Sequence, residues 1–188
     1  MTVKQAEASG RAGSGSGLAD RPIVLVGLMG VGKTTVGRRL AARLGRGFAD
    51  ADAAIEEAAR LSVSEIFAAF GEAYFRDGER RVIARLLADG VGVIATGGGA
   101  FCQADTRELI LSRGLAVWLD CDTDILLERT GRRDTRPLLR GGDRREVLTR
   151  LAEERRPFYA QAPVHVRAGA APHARTVAAI VEAVERCR

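Results

Sequence analysis

The 188-residue sequence has few of the residues that would point to a disulfide-linked or metal-binding protein. Its three cysteines, Cys102, Cys121 and Cys187, are odd in number and show no CxxC spacing, so neither a disulfide framework nor a zinc site is expected. The two histidines, His165 and His173, lie apart in the sequence. Isolated histidines favour structural roles over metal binding.

Long apolar runs are also missing. No segment approaches the roughly 20 apolar residues of a membrane span. The first twenty residues are rich in Gly, Ser and Ala and contain no apolar core of a secretory signal. We therefore expect a disordered leader over residues 1–20, a single domain over 21–188, no membrane partner and a cytoplasmic location.

Lysine and aromatic residues are scarce, although the net charge is +5 and the pI is about 9.7. Lysine occurs only at positions 4 and 33, so almost all of the positive charge is arginine. Aromatic residues make up 5% of the chain and do not interleave with basic clusters, as a single-stranded nucleic-acid platform requires. We expect no nucleic-acid partner. Binding of duplex through the basic surface, with salt-sensitive affinity, is the alternative.

Short apolar runs do alternate with helical patterns along the whole chain. The runs predict strands at 22–27, 47–52, 91–100, 115–120 and 164–168, and the patterns predict helices at 33–44, 53–60, 72–88, 104–112, 122–130, 144–159 and 173–187. The segment SVSE at 62–65 has the Ser-x-x-Glu spacing of a capping box, and 131–143 is predicted to be a loop. This order predicts an α/β fold whose parallel sheet has helices on both faces and binds ligands beyond the carboxyl ends of its strands.

The segment GLMGVGKT, residues 27–34, has the spacing G-x-x-x-x-G-K-[ST] between a predicted strand and a predicted helix. Glycines let backbone N–H groups turn towards phosphate oxygens, and the helix N-terminus adds partial positive charge. Lys33 can bridge the outer phosphates and the Thr34 hydroxyl can ligate Mg²⁺. The alternative is a glycine-rich turn with an exposed lysine. The ATP-binding residues predicted here are Gly30, Val31, Gly32, Lys33, Thr34 and Thr35.

Three further motifs follow. In FADAD, Asp50 and Asp52 lie two apart, so an extended segment would point both the same way; alternatively Asp52 caps a helix, or Asp50 is a solvated strand end. In AYFRDGE, Arg76 and Glu79 lie three apart on one helical face, where the alternative is a surface ion pair. The glycines of TGGG, 97–99, let a small ligand approach the backbone closely.

Together with TRPLL in the later loop and ERRPFY on the following helix, these motifs resemble the shikimate kinase family from about Pro22 to the last helix. The resemblance implies a three-layer P-loop kinase fold, similar to the nucleoside monophosphate kinases, with a five-stranded parallel sheet flanked by helices and a mobile lid at about 131–143. It implies transfer of the γ-phosphoryl group of MgATP to the 3-hydroxyl of shikimate, on the pathway to chorismate and aromatic amino acids.

The resemblance also implies roles for single residues. Lys33, Asp52 and Arg136 would be catalytic, with Asp52 contacting the attacking hydroxyl and Arg136 coming from the lid. The substrate-binding set would be Asp52, Arg76, Gly97, Gly98, Gly99 and Arg155, with the two arginines clamping the carboxylate. The R-x-P-x-Y spacing selects Arg155 over Arg156.

On the nucleotide side, Arg129 and Pro137 would flank the adenine, and Arg136 would also contact ATP. Thr34 would ligate the magnesium ion and Asp50 would order one of its waters. A solvated charge run is the alternative for most of the seven arginines at 129–145. We expect a monomer. The alternative functions are a gluconate-type or other small-polyol kinase and a non-catalytic nucleotide-binding module.

Overall fold

The computed structural model describes residues 21–131, 143–169 and 172–187. Five strands form one sheet in the order β2-β3-β1-β4-β5, and every neighbouring pair is parallel. The strands are β1 (Ile23–Val26), β2 (Phe48–Asp50), β3 (Val93–Ala95), β4 (Leu115–Asp120) and β5 (Val164–Arg167). The helices are α1 (Lys33–Leu44), α2 (Ala51–Ala59), α3 (Val63–Ala88), α4 (Ala104–Arg113), α5 (Thr123–Gly131), α6 (Arg144–Tyr159) and α7 (His173–Glu185), with a 3₁₀ turn at Ala100–Cys102.

The central strands of the sheet are buried because they carry apolar side chains on both faces. All four residues of β1 are buried, as are all three of β3, and helices cover them. Such runs are typical of parallel sheets, whose two faces both lie in the core. A second, smaller apolar cluster of Ile55, Ile66 and Phe75 joins α2 to α3. The α/β fold predicted from the alternating pattern is confirmed.

The sheet order places the carboxyl ends of β2, β3 and β1 side by side. Val93 is in register with both Ile23 and Phe48. The segments that follow these three strands therefore emerge at one edge, where parallel sheets bind their ligands. They are the glycine-rich loop before α1, the Asp50–Asp52 segment and the three glycines after β3.

The helix bounds differ from the prediction at α2. Asp50 ends β2 and is the N-cap of α2, where its Oδ1 accepts hydrogen bonds from the backbone N–H groups of Asp52 (3.1 Å) and Ala53 (3.4 Å). The expected extended segment running through Asp52 is wrong, because Asp52 already lies in the first helical turn. The cap residue is Asp50 and not Asp52, so the helix does not need the Asp52 carboxylate.

Helix α3 shows the predicted capping box and an interruption. Ser62 accepts from the Glu65 backbone N–H and Glu65 accepts from the Ser62 backbone N–H. Gly71 has φ 79° and ψ 176°, which breaks the helix immediately before the predicted start at residue 72. The segment after Gly71 carries Arg76 and Glu79 towards the sheet edge.

Some expectations fall outside the described residues: the leader at 1–20 and the lid residues 132–142, including Arg136 and Pro137. Among the helices of the described ranges, none is both long and apolar enough to cross a membrane.

Candidate active site

The glycine-rich loop between β1 and α1 has the backbone conformation of an anion cradle. Gly27, Gly30 and Gly32 have φ of 134°, 82° and 98°, a region that side chains with a Cβ rarely adopt. Gly32 is the N-cap of α1 and has no side chain with which to cap it. The first turn of α1 lines the cavity, and the N-terminus of a helix is a favourable place to bind phosphate.

Lys33 folds back over this loop. Its Nζ donates to the carbonyl oxygens of Gly27 (2.7 Å) and Leu28 (2.9 Å), and only 8% of the residue is exposed. The ammonium group is thus held among the amides that would surround a phosphate. Its positive charge is available there to phosphate oxygens that compete with the two carbonyls.

Thr34 and Asp50 join the start of α1 to the end of β2. The Thr34 hydroxyl donates to Asp50 Oδ2 over 2.6 Å, while Asp50 Oδ1 serves as the α2 cap. The hydroxyl and the carboxylate predicted to serve magnesium are therefore adjacent. The described residues contain no group of three or more His, Cys, Asp or Glu side chains able to hold a metal by themselves.

The Asp52 carboxylate lies against the first glycine after β3. A Cβ added at Gly97 would stand 2.8 Å from Asp52 Oδ1. Burial raises the pKa of Asp52, and the neighbouring Asp50 raises it further, while Lys33 and Arg76 oppose both effects. A partly desolvated carboxylate beside a cation is a suitable proton acceptor for a hydroxyl group.

Arg76 and Glu79 form a buried ion pair, which contradicts the surface-pair alternative. Arg76 Nη1 lies 2.7 Å from Glu79 Oε2, and the Glu79 residue is 0% exposed. The rings of Phe75 and Phe67 lie 5.2 and 5.9 Å from the Arg76 guanidinium carbon. Burial raises the pKa of Glu79 against the opposing effect of Arg76. Glu79 therefore holds the Arg76 guanidinium in place from the protein interior.

Glu79 also presents an unsatisfied atom. Its Oε1 is buried and has no hydrogen-bond partner among the described residues. A Cβ added at Gly97 would lie 2.6 Å from this oxygen. Glu79 and Asp52 thus approach the same glycine, and the Asp52 carboxylate adds to the rise in the pKa of Glu79 that burial causes.

The glycine triplet leaves room for neighbouring side chains as well as for the close approach of a ligand that was predicted. A Cβ at Gly97 would strike Glu79 and Asp52, and a Cβ at Gly99 would lie 2.5 Å from Arg76 Nη2. Functional side chains, rather than a ligand alone, occupy the space that these glycines leave open. The triplet therefore sets where Asp52, Glu79 and Arg76 can lie.

Arg155 approaches the triplet from α6. Its Nη1 donates to the Gly98 carbonyl oxygen over 3.1 Å. The adjacent Arg156 points elsewhere: its guanidinium lies 5.4 Å from the Trp118 ring centre and 3.6 Å from Asp120 Oδ2. The structure thus places Arg155 and not Arg156 next to the glycines.

Except for Gly27 and Arg156, the residues whose predicted roles are described above line one open cavity of about 690 Å³. The glycine loop and Thr34 form one end, and Arg76 with Arg155 stand at the other, with Asp52 among the lining residues that they share. The cavity can hold a polyphosphate and a small acid together, so the two reactants can meet without water between them.

Comparisons with known proteins identify the relatives of this arrangement. A family model described as shikimate kinase matches residues 29–185. A shikimate kinase of Novosphingobium aromaticivorans is 61% identical over 170 residues, which cover 88% of each chain. The chain belongs to the shikimate kinase family.

Solved structures agree with this assignment. A shikimate kinase from Acinetobacter baumannii in complex with shikimate superposes with a TM-score of 0.85 at 37% identity, covering 88% of this chain and 93% of the other. A gluconokinase from Sinorhizobium meliloti, with a TM-score of 0.55 at 18% identity over 89% and 93% of the two chains, shows a likeness of fold alone. The five-stranded P-loop kinase fold implied by the resemblance is confirmed.

Of the other residues predicted for this shikimate kinase site, Arg129 lies at the nucleotide end. Its guanidinium donates to the carbonyls of Val31 (3.3 Å) and Gly169 (2.8 Å), which ties α5 to the glycine loop and to the segment before α7. Thr35 is exposed and lines the cavity, while Val31 is a buried residue of the loop itself and does not line it. Every other described residue of the predicted set lines the cavity. The roles of these residues stay predictions.

The cavity residues that the predicted site set missed include Glu79, Phe67 and His173. Glu79 had a signal in its spacing from Arg76. Phe67 had none, since its ring packs against Phe75 in a tilted arrangement, with ring centres 4.6 Å apart, across the break at Gly71. His173 comes from the start of α7, a contact between distant segments that no local motif encodes.

Proposed function

We propose that this chain transfers the γ-phosphoryl group of ATP to the 3-hydroxyl of shikimate, giving shikimate 3-phosphate and ADP on the route to chorismate and aromatic amino acids. The observation that carries the proposal is the single cavity in which a phosphate loop, Asp52 and two guanidinium groups converge. The family membership supports this acceptor, as does the complex of the Acinetobacter baumannii relative with shikimate.

The nucleotide occupies the glycine-loop end. Backbone N–H groups of the loop and of the first turn of α1 donate hydrogen bonds to the phosphate oxygens, and the Lys33 ammonium neutralises the charge of these oxygens. To do so Lys33 exchanges its bonds to the Gly27 and Leu28 carbonyls for bonds to phosphate. Arg129 flanks the adenine from α5, and Pro137 and Arg136 act from the lid, which lies outside the described residues.

The acceptor occupies the other end, where Arg76 and Arg155 clamp its carboxylate. A planar guanidinium presents paired N–H donors that match the two oxygens of a carboxylate. Glu79 holds Arg76 in place, and the ring centres of Phe67 and Phe75 lie 5.9 and 5.2 Å from its guanidinium carbon. The two arginines fix the acid end of the ring, so the hydroxyl end turns towards Asp52.

Asp52 accepts the proton of the attacking hydroxyl. The hydroxyl oxygen forms a bond to the γ-phosphorus, the bond from that phosphorus to the β–γ bridging oxygen breaks, and ADP leaves with the electron pair. The hydroxyl proton passes to the Asp52 carboxylate. Its raised pKa brings this acceptor closer to neutral pH, where a general base is most effective. The remaining catalytic effect is alignment and charge neutralisation by Lys33 and Arg136.

Magnesium fits the donor set at the α1 and β2 ends. Mg²⁺ prefers oxygen ligands and is usually held by one or two protein groups together with phosphates and water. The Thr34 hydroxyl and the Asp50 carboxylate are such groups, 2.6 Å apart. Thr34 would hold the ion directly and Asp50 would hold one of its waters. The ion would supply neutralisation of phosphate charge when bound.

We further propose that residues 21–188 are the catalytic domain, with the leader outside it, because the family model begins at residue 29. We also propose a monomer, because every site residue named above comes from one chain. A cytoplasmic location is proposed because the reaction consumes ATP.

An acceptor series tests the proposal. The purified protein with MgATP is expected to release ADP rapidly with shikimate and at background rate with gluconate, AMP or no acceptor, because only shikimate offers a ring-borne carboxylate that both arginines can grip. The measurement is coupled ADP detection, with the phosphorylated position of the product assigned by ³¹P and ¹H NMR. Turnover only with gluconate would contradict the acceptor, and ATP binding without any turnover would favour a nucleotide-binding module.

Arg76→Ala is expected to raise the KM for shikimate by about 100-fold, because it removes half of the carboxylate clamp, while the KM for ATP stays within about twofold. Steady-state kinetics with each substrate varied in turn gives both constants. Arg81→Ala, which removes an exposed arginine of the same helix paired with Asp77, is the matched control and should leave both constants unchanged. An unaltered KM for shikimate in Arg76→Ala would show that Arg76 has a structural role and does not bind the acceptor.

A further inference from the structure

Tyr159 lies in the last turn of α6 and is almost completely buried, with 2% of the residue exposed. Its hydroxyl donates to the carbonyl oxygen of Gly98. Arg155, one helical turn earlier, donates to the same oxygen over 3.1 Å. Residues four apart lie on one face of a helix, so α6 contacts this single carbonyl with two side chains.

The ring that carries this hydroxyl is held firmly. It stacks on Trp118 of β4, with ring centres 6.0 Å apart. Burial raises the pKa of the Tyr159 hydroxyl above its ordinary value, so the group keeps its proton and remains a donor. The Cys102 thiol lies beside the same hydroxyl. A buried tyrosine hydroxyl that donates to a backbone carbonyl fixes the position of that carbonyl as well as filling space.

The fixed carbonyl determines the direction of the whole peptide between Gly98 and Gly99. A trans peptide is planar, with its N–H and C=O groups on opposite edges. Because the carbonyl points to Tyr159 and Arg155, the Gly99 N–H points away from α6. Both glycines line the acceptor end of the cavity. Glycine would otherwise allow this peptide to rotate more freely than any other residue.

We propose that Tyr159 is a positioning residue for the acceptor: it orients the Gly98–Gly99 peptide and, through the shared carbonyl, the Arg155 guanidinium. The inference rests on the proposed function, since it concerns the shikimate end of the same cavity. The Tyr159 hydroxyl donates to Gly98, a residue of the glycine triplet, and not to Lys33 or to the loop at 27–34. We therefore expect its effect chiefly on the binding of the acid.

The test is Tyr159→Phe, which removes the hydroxyl and retains the ring. The KM for shikimate is expected to rise about fivefold, the size of one net hydrogen bond, while the KM for ATP and the unfolding temperature stay close to those of the unaltered protein. In the Arg155→Lys background the same substitution should raise the KM by less than half as much, because both donors act on one carbonyl.

Trp118→Phe is the matched control, because it alters the packing of the Tyr159 ring and leaves the hydroxyl in place. It should lower the unfolding temperature without a selective change in the KM for shikimate. An unchanged KM in Tyr159→Phe, an equal rise in both Michaelis constants, or the same selective rise in Trp118→Phe would each overturn the proposal. Failure of the unaltered protein to phosphorylate shikimate would instead refute the proposed function.

Discussion

Asp52→Asn is expected to lower kcat by about 10³-fold while the affinity for MgATP stays within about threefold. An amide has nearly the shape of the carboxylate but cannot accept the hydroxyl proton, and general-base contributions are commonly about 10²- to 10⁴-fold. Asp52 is not the cap of α2, so its loss leaves the helix intact. Single-turnover kinetics with shikimate and a separate nucleotide titration distinguish the two quantities.

The same substitution should raise the unfolding temperature by a few degrees near neutral pH. The raised pKa of Asp52, caused chiefly by burial, means that the folded protein disfavours the ionised carboxylate. The resulting loss of stability is absent below the pKa that the Asp52 carboxyl has in the unfolded chain. It is complete above the higher pKa that the same group has in the folded protein. Asparagine has no such charge, so the two melting temperatures should converge as the pH falls through this window.

Asp77→Asn is the control for charge removal, because Asp77 lies on the surface of α3 and pairs with Arg80 and Arg81. It should retain full kcat. Unreduced turnover in Asp52→Asn would remove Asp52 from the mechanism, and an equal loss in Asp77→Asn would show that the assay reports folding rather than chemistry.

Gly97→Ala is expected to lower kcat/KM for shikimate by about 100-fold. The added Cβ would lie 2.6 Å from Glu79 Oε1 and 2.8 Å from Asp52 Oδ1, so both carboxylates must move. These atoms are the ends of side chains, and the protein can therefore remain folded while Asp52, the proposed general base, is displaced. A displacement of about 1 Å at a reacting group can lower the rate about 10²-fold.

Gly78→Ala is the matched control for this glycine. Gly78 lies on α3 between Arg76 and Glu79, and a Cβ added there meets nothing within 4 Å. The substitution should leave the kinetics unchanged and raise the free energy of unfolding by about 0.5–1 kcal/mol, because alanine favours a helix interior over glycine. Full activity in Gly97→Ala would contradict the proposed placement of Asp52.

The sequence predicted the elements of the fold well where the signal was local. The bounds of α1 and α6 were correct to the residue, because each helix starts at a recognisable motif or after a glycine-rich loop. The capping box at Ser62 was also correct, since it depends on residues three apart. The error at Asp52 arose because an aspartate two residues earlier was the stronger cap, a competition between neighbours that spacing does not resolve.

The candidate site was less predictable wherever burial decides a role. The spacing of Arg76 and Glu79 indicates an ion pair on one helical face, yet only the packing of α3 against the sheet edge shows that Glu79 is fully enclosed. Burial makes this pair a fixed internal contact, able to anchor the proposed acceptor clamp, instead of a weakly stabilising surface contact. The reason for the glycine triplet, three functional side chains crowding the backbone, likewise exists only in three dimensions.

A crystal structure of the protein with shikimate and a non-hydrolysable ATP analogue would show directly where both reactants lie. We expect Arg76 and Arg155 to bracket the shikimate carboxylate and the triphosphate to lie on residues 27–34. We also expect the 3-hydroxyl to donate to Asp52 in line with the γ-phosphorus. Shikimate bound away from both arginines, or a 3-hydroxyl beyond hydrogen-bonding distance of Asp52, would contradict this arrangement.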